Sequence, residues 1–267
     1  KDEYPLCKEL INSYYEDIYK TLCECDNIHE YRIPFMIVKG LLQSADWKAS
    51  GQPESDSSIL DNIETLTVEN TKKRALLKGI ISNPEDFSLN RMQNEMLKTD
   101  SNTLLISPCG SGKTEAAALW ASNDDQKRQI VYLLPTQVTS NRIFDRFTDI
   151  LGSSSPVGLL HSAARYYQVL SKNIEEPLSD EEKQVISASR AFSKPVTVAT
   201  VDQALFSMLN GGYWHQTQLR LSDANIVFDE VHSYEPYTLG LLMSMIKELS
   251  ERNTRFSFIS ATLPKGL

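Results

Sequence analysis

From about residue 84 onward, short apolar runs alternate with longer stretches in which apolar and polar residues are mixed. Runs of this length are typical of buried strands, and the intervening stretches are long enough for helices. Such an alternation predicts an α/β domain in which a parallel sheet carries helices on both faces. We expect strands over Thr103–Ser107, Ile130–Leu134, Val157–Leu160, Val196–Ala199, Ile226–Phe228 and Phe256–Ile259.

The first part of the chain follows a different pattern, because its apolar residues recur at helical spacing. This periodicity extends over residues 3–25, and a second run from Pro34 to about Ala49 begins with a proline, which is favoured in the first turn of a helix. A stretch rich in glycine, proline and serine follows and interrupts the pattern. The chain is therefore predicted to contain an all-α segment over 1–50, a linker over 51–83 and the sheet domain over 84–267.

Composition limits the class of protein. Of the 267 residues, 41% are hydrophobic and 23% are charged, which is typical of a globular domain. No apolar run approaches the roughly 18 residues that a membrane span needs, and no signal-peptide pattern opens the chain. With only four cysteines a disulfide framework is not expected, so we expect a cytoplasmic protein without a membrane partner.

Charge and chain ends add two expectations. The net charge of −8 argues against a surface that binds nucleic acid over its whole face, although a local groove remains compatible with it. The chain starts with Lys1 rather than methionine, and only eight residues follow the last predicted strand. We therefore expect the sequence to be a piece of a longer protein.

A glycine-rich loop follows the first predicted strand and precedes a helical run over Glu115–Ala121. In phosphate-binding loops of this strand–loop–helix kind, backbone amides and the helix N-terminus attract an anion, a lysine reaches the β- and γ-phosphates, and a hydroxyl ligates magnesium. The first glycine of the usual G-x-x-x-x-G-K-[ST] pattern is Ser107 here. We predict ATP binding by Gly110, Ser111, Gly112, Lys113 and Thr114.

Two carboxylates, Asp229 and Glu230, end the fifth predicted strand. Together with a phosphate loop they indicate a site for nucleotide hydrolysis. We expect Asp229 to hold Mg²⁺ with Thr114, directly or through water, and Glu230 to polarise the water that attacks the γ-phosphate. Because negative charge develops on the phosphoryl oxygens, Lys113 must be preorganised beside them. Lys113, Asp229 and Glu230 are therefore the predicted catalytic residues.

Other strand ends carry hydroxyl and amide side chains that are candidates for contact with nucleic acid or for coupling this contact to hydrolysis. Thr136 is also expected to cap the helix that follows it. After the fourth strand the alternative is an ordinary capping turn that uses Thr200 or Asp202, and this turn is compatible with nucleic-acid contact. Arg142 and Arg146 lie four residues apart on a predicted helix, and we favour a solvated face over nucleic-acid contact for both. The full set of coupling candidates is Thr136, Gln137, Thr200, His232, Ser260 and Thr262.

Gln93 and Phe87 precede the phosphate loop and are candidates for the base of the nucleotide. A glutamine amide offers one donor and one acceptor, which matches the N6/N7 edge of adenine, and Phe87 can cover the ring. A glutamine on a helix surface is the alternative interpretation.

The ordered motifs resemble the first RecA-like domain of a superfamily-two DExH helicase over residues 84–267. Three further strings, Leu159–Ser162, Ser233–Tyr237 and Lys39–Ser50, are similar to the CRISPR-associated helicase–nuclease of type I systems. In that family a metal-dependent HD nuclease domain precedes the motor. The helicase motifs that carry the resemblance are Gln93, Pro108–Thr114, Leu134–Gln137, Thr200–Gln203, Asp229–His232 and Ser260–Thr262.

The resemblance implies that residues 1–50 are the C-terminal helical part of the HD domain and that Asp46 is the last ligand of its divalent transition metal. No histidine is followed by aspartate in the sequence, and a second RecA-like domain is not expected in it, so the chain alone is not expected to cut DNA or to hydrolyse ATP efficiently. The implied whole is a prokaryotic ATP-dependent translocase and nuclease that degrades foreign DNA. Its implied partners are single-stranded DNA and a CRISPR surveillance complex with guide RNA. A generic DExH RNA or DNA helicase and a non-catalytic nucleotide-binding module remain alternatives.

Overall fold

The computed structural model describes residues 28–49, 72, 75, 82–123, 128–151, 157–171 and 192–262. Within the first of these ranges, the side chains of residues 31–45 are described. The helix predicted over 3–25 and most of the linker predicted over 51–83 lie outside the described residues.

A parallel sheet of six strands forms the centre of the described chain, with strand order β1-β6-β5-β2-β4-β3. Each predicted strand is confirmed, and no boundary differs from its prediction by more than two residues. The strands are β1 (Thr103–Ile106), β2 (Gln129–Leu134), β3 (Val157–Leu160), β4 (Val196–Thr200), β5 (Ala224–Phe228) and β6 (Arg255–Ser260).

Helices occupy the segments between the strands, as the alternation predicts, and a further helix precedes the sheet. In the part of the chain that the structure describes, no helix combines the length and the apolar character that crossing a membrane requires. The helices are α1 (Ile28–Ala49), α2 (Arg91–Leu97), α3 (Lys113–Ser122), α4 (Gln137–Leu151), α5 (Ala164–Ser171), α6 (Val201–Met208), α7 (Trp214–Leu221) and α8 (Pro236–Ser250).

The two faces of the sheet are covered by different helices because successive side chains of a strand point to opposite faces. From β2, Tyr132 and its two even-numbered neighbours pack into a core shared with α3 and α4. Val131 and Leu133 pack into a second core with α6 and α8. Helix α3 is rich in buried alanines, whose small side chains let the helix lie close to the sheet. The prediction of an α/β fold with helices on both faces is confirmed.

Helix α1 begins six residues before its predicted start, so Pro34 lies inside the helix and the prediction that it opens the helix is wrong. A proline removes the hydrogen bond to the carbonyl four residues earlier, and a helix can continue through it at that cost. The helix packs against α7, where Phe35 stacks on Trp214 with ring centroids 6.4 Å apart. Gln43 of α1 also forms a hydrogen bond with His215 of α7.

Candidate nucleotide-binding site

A cavity of about 650 Å³ lies where β1, β2 and β5 end, and residues that follow these strands line it. Parallel strands present their carboxyl ends at one edge of the sheet, which is where ligands bind in folds of this kind. The cavity brings Lys113 together with Asp229 and Glu230, although more than 100 residues separate them in the sequence. The other predicted nucleotide-binding residues line the same cavity, namely Gln93, Gly110, Ser111, Gly112 and Thr114.

The phosphate loop owes its shape to two glycines in the left-handed region, Gly110 at φ 79° and Gly112 at φ 86°. Residues with a Cβ rarely adopt this conformation. At Gly112 a Cβ would also lie 2.6 Å from Nε2 of Gln93, so any other residue there would push the Gln93 side chain out of its position. Ser107 replaces the first glycine of the usual pattern, and its hydroxyl donates to the Ser111 hydroxyl across the loop at 2.8 Å. This hydrogen bond closes the loop that the pattern predicts.

Lys113 begins α3 and folds back over the loop. Its ammonium group donates to the carbonyl oxygens of Ser107 at 2.6 Å and Pro108 at 2.8 Å. It forms no salt bridge with a described residue, so its charge is not neutralised within that part of the chain. The lysine therefore contributes uncompensated positive charge beside the loop amides and the N-terminus of α3, where an anion is favoured.

The acidic pair follows β5 in a constrained geometry. Oδ1 of Asp229 accepts a hydrogen bond from the Glu230 backbone N–H at 2.7 Å, and its Oδ2 accepts one from the Tyr132 hydroxyl at 2.7 Å. Glu230 has φ 54°, an uncommon conformation for a residue other than glycine and one that is concentrated at functional sites. Burial raises the pKa of Glu230, the Asp229 charge raises it further, and His232 and Lys113 oppose the shift. A raised pKa makes a carboxylate a better proton acceptor.

Two buried tyrosines support Asp229, and the sequence analysis did not identify either as part of the site. Tyr132 binds the carboxylate, and Tyr234 donates to the Asp229 carbonyl oxygen at 3.1 Å. Burial and the nearby negative charge of Asp229 raise the pKa of both hydroxyls, so both stay protonated and act as donors. The apolar pattern of β2 carries no signal for this role, because it marks Tyr132 only as a core residue.

His232 connects the acidic pair to the end of β6. It lines the cavity, and its Nδ1 lies 3.0 Å from the Ser260 hydroxyl. Ser260 donates in turn to the carbonyl oxygen of Thr262, whose side chain is exposed. The structure thus places these three predicted coupling residues in one hydrogen-bonded chain that starts at the cavity.

The remaining coupling candidates lie at the ends of β2 and β4. The Thr136 hydroxyl accepts from the Thr139 N–H at 3.2 Å, which confirms the predicted cap of α4. Gln137 is exposed and donates to the Ser162 hydroxyl at 2.7 Å. Thr200 is buried and its side chain makes no capping hydrogen bond with α6, so the capping interpretation is wrong for this residue. The packing of β4 against its neighbours turns this side chain inward.

Arg146 does not lie on a solvated face, and the prediction favoured for it is wrong. It forms a salt bridge with Glu115, which is buried in the first turn of α3. A carboxylate is rarely buried unless a cation compensates its charge. Helix α4 supplies that cation as Arg146, one turn after Arg142. Both arginines line the cavity, with Arg142 exposed to solvent there.

Gln93 lies against the phosphate loop as part of a capping box with Asn90. Its backbone N–H donates to the Asn90 side chain at 2.9 Å, and its own side-chain oxygen accepts from the Asn90 N–H at 3.1 Å. Its Nε2 also lies 3.4 Å from the Gly112 carbonyl oxygen. The Asn-x-x-Gln spacing is a recognised sequence signal for such a cap, which the sequence analysis did not use. Phe87 lines the cavity beside this helix.

Part of the predicted linker also contributes to the site. Lys72 and Ala75, the two residues of the 51–83 range that are described before residue 82, are helical. Ala75 is buried and lines the cavity. Ala75, which was predicted to lie in a linker, is therefore a helical residue beside the nucleotide site.

The residues near the acidic pair fit a magnesium ion bound with a triphosphate. Magnesium takes oxygen ligands and is commonly held by one or two protein groups together with phosphate oxygens. The hydroxyl of Thr114 and the carboxylate of Asp229 both interact with the Tyr132 hydroxyl, so the two candidate ligands lie close to each other. For the nuclease metal, Asp46 lies in α1 but its side chain is outside the described set. The described residues contain no group of three or more His, Cys, Asp or Glu that would hold a metal.

An all-parallel sheet with a phosphate loop after β1 and an acidic pair after β5 defines a P-loop nucleoside-triphosphate-binding domain. Within this class, the chain belongs to the DEAD/DEAH box helicases, because the model of that family matches residues 90–267. The helicase resemblance of the sequence motifs is confirmed.

Comparison with curated proteins identifies a group of helicases to which the chain is similar. The chain is 35% identical over 200 residues to a putative CRISPR-associated nuclease/helicase Cas3 of Methanocaldococcus jannaschii, a match that covers 70% of this chain and 27% of that protein. The CRISPR-associated nuclease/helicase Cas3 of Methanothermobacter thermautotrophicus is 26% identical, over 97% of this chain and 30% of the relative. The chain thus spans less than a third of these relatives. The predicted resemblance to the CRISPR-associated helicase–nucleases is confirmed.

A solved structure of a Cas3 protein is also similar to this chain. The crystal structure of T. fusca Cas3-ATP matches with a TM-score of 0.56 and 26% identity, covering 68% of this chain and 22% of that one. The RecA-like fold expected from the motifs is therefore also found in a structural neighbour. Both kinds of comparison match this chain to a part of larger proteins that are named Cas3.

Proposed function

We propose that this chain is the nucleotide-binding part of an ATP-driven motor that moves along single-stranded DNA, within a larger nuclease that degrades foreign DNA. The observation that carries the proposal is the convergence of Lys113, Asp229 and Glu230 on one cavity at the sheet edge. The names of the relatives, CRISPR-associated nuclease/helicases, support a nucleic acid as the substrate and a role in a CRISPR system.

In the proposed reaction the loop amides and Lys113 bind the β- and γ-phosphates. Thr114 and Asp229 hold Mg²⁺, which supplies charge neutralisation for the phosphate oxygens. Glu230 orients a water molecule whose oxygen bonds to the γ-phosphorus, while the bond to the ADP oxygen breaks. Glu230 accepts the proton that this water loses, and its raised pKa suits it to do so.

The proposed coupling runs from the same cavity to the strand ends. His232 and Ser260 join the acidic pair to the end of β6, so a movement of Glu230 during hydrolysis reaches that strand. Thr136 and Gln137 follow β2, and Thr200 ends β4 at the same edge of the sheet. We assign all three to DNA contact, Thr200 through its backbone because its side chain is buried.

The whole protein, in this proposal, carries an HD nuclease with a divalent transition metal, whose C-terminal part includes α1, and a second RecA-like domain after β6. It is recruited by a CRISPR surveillance complex with guide RNA in the prokaryotic cytoplasm. Asp46 is then the last nuclease ligand. In the intact protein, Asp46→Ala should abolish DNA cutting and leave ATP turnover unchanged, whereas loss of both activities would assign Asp46 a structural role.

Nucleotide titration tests the motor assignment directly. Lys113→Ala should weaken ATP·Mg²⁺ binding by at least about tenfold, equivalent to about 1.4 kcal/mol, because the uncompensated charge at the phosphates is removed. Lys247→Ala, on the exposed face of α8, is the control and should bind like wild type. Equally weak binding by wild type and Lys113→Ala would identify the chain as a module that does not use ATP.

A further inference from the structure

Tyr132 lies in the middle of β2 and is completely buried, yet its hydroxyl contacts Asp229, which lines the cavity. It donates to Oδ2 of Asp229 at 2.7 Å. The Thr114 side chain lies near the same hydroxyl. The proposed reaction makes no use of this tyrosine, although both neighbours of its hydroxyl are the proposed magnesium ligands.

Packing alone does not account for the hydroxyl. The ring fits the core and meets Phe147 edge-on, with centroids 5.6 Å apart and an interplanar angle of 63°. A phenylalanine ring would make the same contact. A buried hydroxyl is costly unless it is hydrogen-bonded, so its presence in the core is explained by the partners it serves.

The hydrogen bonds at Asp229 restrict the carboxylate in a specific way. One oxygen accepts from the Glu230 N–H and the other from Tyr132, so rotation of the carboxylate would break one bond or the other. Each carboxylate oxygen has two acceptor positions, so each keeps one free for a cation or its water. The carboxylate is therefore held in one orientation with capacity left for the metal.

We infer that Tyr132 is a positioning residue for the magnesium site, which holds the Asp229 carboxylate in a fixed orientation beside the Thr114 hydroxyl. The inference rests on the proposed function, because it presumes that these two residues bind Mg²⁺. A ligand set that is held in place before binding loses less conformational freedom when the metal enters. Tyr132 thus sets the affinity for magnesium rather than the chemistry at the γ-phosphate.

The test is a magnesium titration of ATP hydrolysis by the intact protein, comparing Tyr132→Phe with wild type. The magnesium concentration at half-maximal rate should rise by about tenfold, which corresponds to the loss of one hydrogen bond to a charged group. At saturating magnesium the rate should return to within about threefold of wild type, because Glu230 and Lys113 are unchanged. Nucleotide binding in the presence of a chelator should not change.

Tyr167→Phe is the matched control. Its hydroxyl also donates to an aspartate, Asp145, at 2.6 Å, but neither residue lines the cavity. This variant should titrate with magnesium as wild type does.

Three results would overturn the inference. An unchanged magnesium dependence in Tyr132→Phe would show that the hydroxyl serves packing only. A rate that is lost equally at every magnesium concentration, or a variant that does not fold, would assign Tyr132 to the stability of the core. If wild type shows no magnesium-dependent hydrolysis at all, the proposed function itself fails. This outcome is distinguishable from the others because Tyr167→Phe would then also show no hydrolysis.

Discussion

The edge of the sheet that forms the nucleotide cavity and the surface that carries α1 are built on different principles. At the cavity, Gly110, Gly112 and Glu230 adopt left-handed backbone conformations, and polar groups converge on a hollow. At the contact between α1 and α7, the helices fit closely, with Phe35 stacked on Trp214. The first region adopts uncommon backbone conformations and leaves polar groups for a ligand, whereas the second is built from close contacts between its own side chains.

This difference implies that the two regions respond to substitution in opposite ways. Changes at the cavity should alter nucleotide binding or turnover by large factors and hardly affect the free energy of unfolding. Changes between α1 and α7 should alter the free energy of unfolding and hardly affect ATP binding. The four predictions below test this separation, from the largest expected effect to the smallest.

The largest effect is expected for Glu230→Gln in the intact protein. The amide cannot accept the proton of the attacking water, and loss of a general base costs about 10²-fold or more in rate. The fold should be retained, because the side chain has nearly the same shape. ATP turnover and thermal unfolding are the measurements, with Glu251→Gln, on the exposed turn after α8, as the control. Normal turnover in Glu230→Gln would contradict the role assigned to this carboxylate.

Gln93→Glu should weaken ATP binding by about tenfold, or about 1.4 kcal/mol, and should affect GTP less. A glutamate keeps the acceptor for the Asn90 N–H, so the capping box and α2 remain. It removes the donor that reaches the Gly112 carbonyl and that adenine N7 would require. Affinities for the two nucleotides, measured by calorimetry, provide the comparison. Wild-type affinity for both would leave Gln93 with a capping role only.

The two regions also differ in how much of each was predictable from the sequence. The strand ends and the phosphate loop could be predicted, because strand periodicity and a glycine–lysine pattern are local signals and parallel topology then brings the ends together. The hydrogen bond between Tyr132 and Asp229 could not be predicted, because it joins residues that are 97 positions apart. The apolar pattern of β2 also gives no information about a hydroxyl. The same holds for Arg146, whose partner Glu115 is buried only because α3 and α4 lie side by side.

The contact between α1 and α7 had no sequence signal at all. Gln43 and His215 are 172 residues apart, and no sequence pattern pairs them. Complementary surfaces of two helices depend on the shapes of both, which no periodicity in one of them reveals. The proline of α1 misled the prediction in addition, since its preference for a first turn is statistical and the packing against α7 extends the helix beyond it.

Gly40→Leu should lower the free energy of unfolding by about 1 kcal/mol, because overpacking costs about 1–3 kcal/mol and the better helix propensity of leucine returns part of it. A Cβ at this position would lie 2.8 Å from Cδ2 of Leu219 and 3.4 Å from the His215 carbonyl oxygen. ATP affinity should stay unchanged. Urea unfolding is the measurement, with Ala45→Leu at an exposed position of α1 as the control. A loss of ATP binding in Gly40→Leu would show that the two regions are coupled.

The smallest effect is expected for the pH dependence of this same contact. Burial lowers the pKa of His215 below 6.5, and the charge of Lys39 lowers it further. No described residue binds the buried Nδ1, so protonation there would leave a donor unsatisfied. The unfolded chain therefore takes up a proton that the folded contact excludes. The stabilisation is fully present above about pH 6.5 and is lost as the pH falls through the folded pKa, by at most about 1.4 kcal/mol per pH unit.

Urea unfolding of wild type and His215→Gln between pH 7.5 and 5.5 measures this contribution, and both pH limits are set about one unit on either side of the usual histidine pKa. The glutamine variant should lose less free energy of unfolding on acidification than wild type. His161, whose pKa burial also lowers, remains in both proteins and cancels from the difference. If both proteins lose the same free energy of unfolding on acidification, His215 has the same pKa in the folded and the unfolded chain. The contact between α1 and α7 would then not exclude the proton.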